Sequence, residues 1–156
     1  MVARSALISW LTSIFAAACA AGDSSLPVTD EAVASARTFF AALEGGADQI
    51  MQANSMFQLA TFEAGKFTQK TFIASNKEPL PVYLTAHPMC VHNWQLKKQF
   101  KYPHSEFSFD WALLGTLVFC DGRARYFEIT TDAKRRLYRS FSVSDQESLM
   151  LGRYRE

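Results

Sequence analysis

Histidine and cysteine residues in the middle of the chain are of the types that bind metals. His87, Cys90 and His92 lie close together, and His104 follows twelve residues after His92. Imidazole and thiolate ligands suit Zn²⁺, and an open fourth position would permit hydrolysis. The spacing matches no zinc motif, and Cys120 is the only other cysteine in this half of the chain. We therefore predict no metal and no cofactor, and interpret the segment as a loop with surface histidines.

Catalysis by a cysteine or a carboxylate is a second hypothesis. Cys90 or Cys120 could act as a nucleophile with His92 as its base, although paired cysteines in an exported protein argue against this. Asp110 precedes Trp111, and Glu128 lies between two apolar residues. Burial would raise the pKa of either carboxyl group and suit a general base. Strand alternation instead favours outward side chains at both positions. The catalytic candidates are thus Asp110, Glu128 and His92.

Arginines on predicted strands suggest a site for an anionic ligand. Alternation places Arg139 on the face of Phe141 and Val143, where a guanidinium could hold a carboxylate or could extend to water over its packed stem. The run 134–136 is interpreted as a solvated turn, and the aromatic residues as core first and pocket lining second. The ligand-binding candidates are Arg123, Arg125, Arg139, Trp94, Trp111 and Tyr126.

The first 21 residues have the pattern of a secretory signal peptide. Arg4 precedes an apolar run that begins at Ala6 and ends in small residues near Ala21. The segment Ala16-Ala17-Ala18-Cys19 resembles a bacterial lipobox, which implies lipidation of Cys19, with Ala16 where leucine is usual. Simple cleavage after an Ala-x-Ala site is the alternative. We predict an exported protein that is periplasmic, anchored to the outer membrane or secreted, and that contacts a membrane only through such a lipid.

Export changes the interpretation of the remaining cysteines. Cys90 and Cys120 are then an even pair in an oxidising compartment, and one disulfide is the simplest outcome. In the cytosol the same pair would more often be two buried thiols. The bridge would close a loop of about thirty residues and stabilise the fold by roughly 3–4 kcal/mol.

Composition predicts one domain that does not bind nucleic acid. Of the 156 residues, 49% are hydrophobic and 13% aromatic, which suffices for a core. The formal net charge is +1, and it falls to zero without Arg4. Duplex binding needs a basic surface, so nucleic acid is excluded as the main partner. We expect a short tether at 22–28 and a single α+β domain at 29–156.

The apolar spacing predicts two helices followed by strands. The first helix runs from Glu31 to Glu44, with Thr29 or Asp30 as its cap and Gly45-Gly46 as its stop. A second helix is expected from Ala47 to before Gly65, although its last third could be extended. The strand-like segments are Phe67–Ala74, a short edge strand Val82–Thr85 within a proline-rich loop, Met89–Phe100, Phe107–Phe109, and three runs within Trp111–Val143 joined by turns at Asp121-Gly122 and Thr131–Lys134.

This order of elements resembles the nuclear transport factor 2-like superfamily, also called cystatin-like α+β. The resemblance is carried by Glu31–Gln58, above all Ala34–Asp48, and by the hairpins of Leu113–Val143. It implies N-terminal helices packed into the concave side of a curved antiparallel sheet, and a cone-shaped apolar pocket. Some members are isomerases or cyclases and many only bind ligands. No catalytic motif of the family matches a position here.

Three functions follow as hypotheses. The first is an exported, non-catalytic domain that binds a small apolar or amphipathic ligand or an envelope protein. The second is a small-molecule isomerase, cyclase or hydrolase that uses the cone pocket. The third is a component of a secretion or envelope assembly, which would show an exposed apolar patch outside the pocket.

Overall fold

The fold combines three helices with one six-stranded sheet. A computed structural model describes residues 25–53, 56–75, 78–101 and 110–147. The predictions for the signal peptide, Cys19, His104 and Phe107–Phe109 lie outside these ranges. No helix within them is long and apolar enough to span a bilayer. The elements are α1 (Asp30–Glu44), α2 (Asp48–Ala53), β1 (Met56–Glu63), β2 (Lys66–Ile73), α3 (Leu80–Ala86), β3 (Val91–Lys101), β4 (Trp111–Phe119), β5 (Ala124–Thr131) and β6 (Tyr138–Ser144).

The sheet is mixed, so the α+β class is confirmed whereas the prediction of a wholly antiparallel sheet is wrong. The strand order is β2-β1-β6-β5-β4-β3. β1 and β6 pair in parallel, with Leu59 beside Phe141 and Thr61 beside Val143, and every other neighbouring pair is antiparallel. Hairpins fix the direction of strands joined by short turns, but β1 and β6 are far apart in sequence. No turn motif in the sequence therefore indicates that β1 and β6 run parallel to each other.

The predicted first helix is confirmed as α1. The Thr29 hydroxyl accepts a hydrogen bond from the Ala32 N–H at 3.3 Å, as expected of an N-cap. Two adjacent phenylalanines anchor the helix in the core: the Phe39 ring lies 5.1 Å from that of Phe141, and the Phe40 ring lies 5.2 Å from that of Phe127. The helix is thus fixed to strands β5 and β6 by aromatic contacts.

The second helix is much shorter than predicted. α2 ends at Ala53, and Phe57 and Ala60, which lie within the predicted helix, belong to β1. Both side chains are buried there, on opposite faces of β1, which is an interior strand of the sheet. An apolar residue at every third or fourth position suits a helix, but a strand buried on both faces accepts the same sequence.

The proline-rich stretch forms a helix, which corrects the predicted edge strand at Val82–Thr85. Pro79 is the N-cap and Pro81 lies in the first turn of α3, where a missing N–H breaks no helical hydrogen bond. Leu80 and Leu84, four residues apart, face the core and are buried. The two prolines therefore begin a helix instead of preventing one.

The remaining strand predictions agree with the sheet. β2 and β3 match the predicted segments, and β4, β5 and β6 are the three runs of the C-terminal meander. The β4–β5 turn is longer than the two-residue turn predicted, since the Phe119 N–H donates to the Arg123 carbonyl at 2.9 Å. Gly122 supplies the positive φ of +86° that this turn requires.

Candidate functional site

An open cavity of about 550 Å³ lies at the end of the sheet that contains the two cysteines. Its walls come from β1, β6, the β4–β5 turn, α3 and the segment that joins α3 to β3. The lining is apolar at Leu59, Pro88, Met89, Phe119 and Val143, polar at Thr61, Glu63, Tyr83, His87, Asp121 and Arg123, and includes Cys90 and Cys120.

A disulfide between Cys90 and Cys120 joins two of these walls. Its Cα atoms lie 5.4 Å apart, within the normal range for a disulfide, which confirms the predicted bridge. The Cys120 N–H also donates to the Cys90 carbonyl at 2.9 Å, so the bridge extends the antiparallel ladder of β3 and β4. The disulfide and this hydrogen bond together hold the segment that joins α3 to β3 against the β4–β5 turn.

Three charged side chains, Glu63, Asp121 and Arg123, form the rim of the cavity, and Arg125 pairs with Glu63 from outside it. Arg123 binds Asp121 through Nε at 2.6 Å, and its Nη1 lies 3.4 Å from Glu63 Oε1. Arg125 holds the same Glu63 oxygen at 2.9 Å. Hydrogen bonds from the Arg123 backbone N–H and then from its side chain keep the pKa of Asp121 below its usual value. The rim itself has one more carboxylate than it has arginines, and Arg125 behind it balances that charge.

Stacked rings form the wall on the α3 side. The His87 and Tyr83 rings are nearly parallel with centroids 4.4 Å apart, and His87 Nδ1 lies 3.2 Å from the Tyr83 carbonyl oxygen. Lys70 Nζ lies 4.2 Å from the centre of the same Tyr83 ring and pairs with Glu78 at 2.5 Å. The wall therefore presents aromatic surface, including the stacked imidazole of His87.

Aromatic side chains fill the core beyond the cavity. Trp94 stacks on Phe40 with ring centres 5.0 Å apart, so this candidate is a packing residue. Phe39 contacts Phe57, Tyr138 and Phe141. Open volume remains at both ends of the sheet: the cavity at the disulfide end, and a second, more open one of about 700 Å³ lined by Ser35, Trp111 and Tyr138 among others.

None of the three catalytic candidates lines the cavity at the disulfide end. His92 and Asp110 are exposed, at different places in the fold. Glu128 is only 1% exposed, so it is buried and not the solvent-exposed residue expected of an outward position. It pairs across the sheet with Leu114 and alternates with Phe127, so it lies on the face away from α1. The three residues do not form one acid–base site.

Of the ligand-binding candidates, Arg123 alone lines the cavity at the disulfide end. Arg125 reaches it indirectly, through Glu63. Tyr126 lies on the far face of the sheet, where it packs on Phe100, Ala112 and Leu114. Trp111 lies beneath the guanidinium of Arg135, 4.1 Å away.

The predicted face of Arg139 is wrong because β6 contains a bulge. Thr130 pairs with Ser140, but Thr131 pairs with Tyr138, so Arg139 is the extra residue. Tyr138 therefore takes the core-facing place, where its hydroxyl donates to the Ser35 carbonyl at 2.9 Å. Burial raises the pKa of this phenol above its usual value.

Sequence analysis missed the role of Arg135, which lies in the run interpreted as a solvated turn. Its side chain is only 10% exposed. Nη2 donates to Gln99 Oε1 at 2.8 Å, and Nη1 donates to Thr29 Oγ1 at 3.1 Å. Gln99 also holds the Pro27 carbonyl and the backbone N–H of Leu26. Arg135 thus joins the start of α1 to β3. No sequence signal indicates this role, because its partners Thr29 and Gln99 are distant along the chain.

Within the described ranges, no group of three His, Cys, Asp or Glu side chains could hold a metal ion. Cys90 is not available as a thiolate ligand, because it is bonded to Cys120. A scan against models of protein families found no match to this chain, and a search of curated proteins found no similar sequence.

Proposed function

We propose that this protein is an exported, non-catalytic domain that binds a small amphipathic ligand in the cavity beside the Cys90–Cys120 disulfide. The observation that carries the proposal is the composition of the cavity wall. Leu59, Met89 and Val143 offer apolar surface, and Glu63 and Arg123 stand at the rim. An apolar surface with a few placed polar groups is typical of small-ligand sites.

Arg123 is the group best placed to orient an anionic head. Its Nε is held by Asp121 at 2.6 Å, whereas Nη1 has only the longer contact of 3.4 Å to Glu63. Glu63 keeps its shorter bond, 2.9 Å, with Arg125. A ligand carboxylate or sulfonate could therefore replace Glu63 at Arg123 without leaving Glu63 unpaired. The tail of such a ligand would then lie over Leu59 and Val143.

A nuclear transport factor 2-like fold with a cone-shaped pocket is part of the same proposal. It is supported by the order of elements, two helices, a hairpin, a third helix and four strands, and by the contacts of α1 with β5 and β6. Aromatic side chains of the core fill the deep part of the proposed cone. A ligand would therefore bind at the open end of the cone. Export rests on the N-terminal pattern, and the disulfide is consistent with an oxidising compartment.

Anilinonaphthalene sulfonate, which has an apolar body and an anionic head, is a suitable probe. We expect its fluorescence to increase on saturable binding to the folded protein. Met89→Trp should fill part of the cavity and abolish the increase, and Arg123→Gln should weaken binding by about tenfold through loss of one charged contact.

Arg37→Gln is the matched control, because Arg37 is an exposed arginine on α1 that lines neither of the two cavities. It should bind the probe as the unmodified protein does. Equal binding by Met89→Trp, with the fold verified by circular dichroism, would show that the cavity is not the site. Turnover of an amphipathic ester or ketone that is lost in Arg123→Gln would favour the enzyme hypothesis instead.

A further inference from the structure

A second open cavity, of about 700 Å³, lies at the end of the sheet opposite the disulfide. β4 connects the two ends: Trp111, its first residue, lines this cavity, and Phe119, its last, lines the cavity beside the disulfide. The walls come from the first half of α1, the starts of β4 and β6, and the β5–β6 turn at 132–137. We call this space the turn cavity.

The charges that line the turn cavity are mostly positive. Three cations of the turn, Lys134, Arg135 and Arg136, line it. Glu31 is the one carboxylate among the described lining residues, so their net charge is +2. The Glu31 side chain is 87% exposed, and its oxygen lies 3.9 Å from Arg135 Nη1. An exposed carboxylate at this distance neutralises little of the positive charge.

Asp132, which lies next to these cations in sequence, does not pair with their side chains. Its Oδ1 accepts the backbone N–H groups of Arg136 and Leu137, and its Oδ2 accepts the backbone N–H of Lys134 at 3.4 Å. Within the described part of the chain, neither the Lys134 ammonium group nor the Arg136 guanidinium has a hydrogen-bond or ion-pair partner. Both side chains are exposed, so both are open to a ligand.

Arg135 is a buried cation whose hydrogen-bond partners are neutral. Its side chain is 10% exposed and donates to Thr29 and Gln99. Burial lowers the pKa of Arg135, and the charge of Glu31 raises it by less. A buried guanidinium without a close carboxylate is stabilised by any anion that approaches it, because the low dielectric strengthens the attraction.

The hydroxyl groups of the turn cavity have already donated their protons within the protein. Ser35 Oγ donates to the Arg135 carbonyl at 3.1 Å, and the Tyr138 hydroxyl donates to the Ser35 carbonyl at 2.9 Å. Thr38 Oγ1 donates to the Ala34 carbonyl at 3.0 Å. The main donors open to a ligand are therefore the cationic side chains of the turn, which favours an anion over a neutral polyol.

We propose that the turn cavity binds the phosphate group of a phosphorylated ligand. Arg136 holds the phosphate oxygens through paired N–H groups, and Lys134 holds them as a point charge. A phosphate monoester carries about −1.5 to −2 charges at neutral pH, which matches the net charge of the cavity. A volume of about 700 Å³ exceeds that of a phosphate, so the esterified group also fits. A free phosphate ester and the head group of phosphatidic acid share this chemistry.

Isothermal titration calorimetry with inorganic phosphate and glycerol 3-phosphate tests the site on the full chain, in the form the cell produces. At low ionic strength we expect saturable binding with a dissociation constant of about 1 mM or lower, and binding of acetate, a monoanion, about tenfold weaker. Lys134→Gln and Arg136→Gln should each weaken phosphate binding about fivefold, and the double variant should abolish it. Glu31→Gln should strengthen binding about twofold, because it removes the carboxylate from the cavity.

Lys66→Gln is the matched control, because Lys66 is an exposed lysine at the β1–β2 turn that lines neither cavity. It should bind phosphate as the unmodified protein does. Arg123→Gln should also bind normally, which separates this site from the cavity beside the disulfide. Absence of saturable phosphate binding, equal binding by the double variant, or a loss in Arg123→Gln as large as that in Arg136→Gln would each overturn the proposal.

Vesicles distinguish the two sources of the phosphate group. The protein is sedimented with phosphatidylcholine vesicles that contain or lack phosphatidic acid. Sedimentation that requires phosphatidic acid and is lost in the double variant identifies a membrane head group, whereas binding of glycerol 3-phosphate alone identifies a free phosphate ester. Sedimentation with phosphatidic acid that persists in the double variant, without binding of soluble phosphates, would overturn the proposal.

Discussion

Single polar side chains hold the turns at both ends of the sheet. At the β5–β6 turn, Asp132 Oδ1 accepts the backbone N–H groups of Arg136 and Leu137, each at 2.8 Å. Burial alone would raise the pKa of this carboxyl group, but the backbone hydrogen bonds from Leu137, Arg136 and Lys134 together outweigh burial and hold the pKa below its usual value. The charged form of Asp132 therefore stabilises the turn that positions Arg135.

Asp132→Asn should lower the free energy of unfolding by about 1–2 kcal/mol at neutral pH, because an amide oxygen is a weaker acceptor than a carboxylate. Since the folded pKa is the lower one, this stabilisation is present above the unfolded pKa of about 3.9 and is lost as pH falls through the folded value. Urea unfolding from pH 7 downward should show the two proteins converging in acid.

Asp110→Asn serves as the comparison, because Asp110 is exposed and its backbone N–H bond to Thr131 is retained. It should change stability little at any pH. A constant difference between Asp132→Asn and the unmodified protein down to strongly acidic pH would contradict the proposed role of the charge.

Residue type predicted the disulfide and the cap of α1, but it failed for the arginines. Cys90 and Cys120 were the only cysteines left for pairing, so residue type alone predicted the disulfide. Thr29 precedes a strong helix pattern, so local sequence predicted the cap. Arg139 was misplaced because a bulge shifts the register of β6, and Arg135 because its partner Gln99 is distant in sequence. Of the candidate site, only Arg123 and the two cysteines were predicted, since Glu63 and His87 reach the cavity through the fold alone.

Strands β3 and β4 approach unusually closely at Gly115. A Cβ atom built there would lie 2.8 Å from ring carbons of Phe127 and would also clash with the Gln95 carbonyl oxygen. Phe127 is fully buried and cannot move freely, because Phe40 packs edge-on against it. The absence of a side chain at this position is therefore required for the two strands to pair.

Gly115→Ala should destabilise the protein by about 1–3 kcal/mol, the usual range for overpacking, despite the better strand-forming tendency of alanine. Chemical denaturation followed by tryptophan fluorescence would measure this loss. Thr116→Ala, at the next and half-buried position, should cost less than half as much. An equal loss of stability in both variants would mean that the close contacts at Gly115 are not the cause of the destabilisation.

The elements that sequence analysis predicted were those with strong local signals. α1 has a cap, an apolar face and a glycine stop, and the C-terminal meander has two turns. The errors at α2, β1 and α3 share a cause: short segments owe their form to packing, not to propensity. Pro79 and Pro81 fit both a loop and a helix N-terminus, and burial of Leu80 and Leu84 decides in favour of the helix.

At the scale of the molecule, the disulfide and the pairing of β1 with β6 connect parts that are distant in sequence. Replacing both cysteines, as Cys90→Ser with Cys120→Ser, should lower the free energy of unfolding by roughly 3–4 kcal/mol through the freed loop of about thirty residues. Denaturant unfolding of the oxidised, reduced and substituted forms would measure the change. The reduced protein and the double variant should behave alike.

Intact mass of the protein from its own host provides the accompanying test of export. A chain two hydrogens lighter than the reduced one, and shortened near Ala18 or Ala20, would agree with a bridged and exported protein. Additional lipid mass would place the new N-terminus at Cys19. An uncut and reduced chain would contradict export.

The parallel pairing of β1 with β6 also affects the order in which the chain can fold. Residues 58–62 find their partners only at 140–144, so the β1–β2 hairpin has no neighbour in the sheet until β6 has been synthesised. A pairing with such a large sequence separation forms slowly. During synthesis, the N-terminal helices and hairpin therefore remain without a complete core for most of the length of the chain. Under the proposed export, this delay would leave the chain without a complete core while it is threaded through a translocation channel.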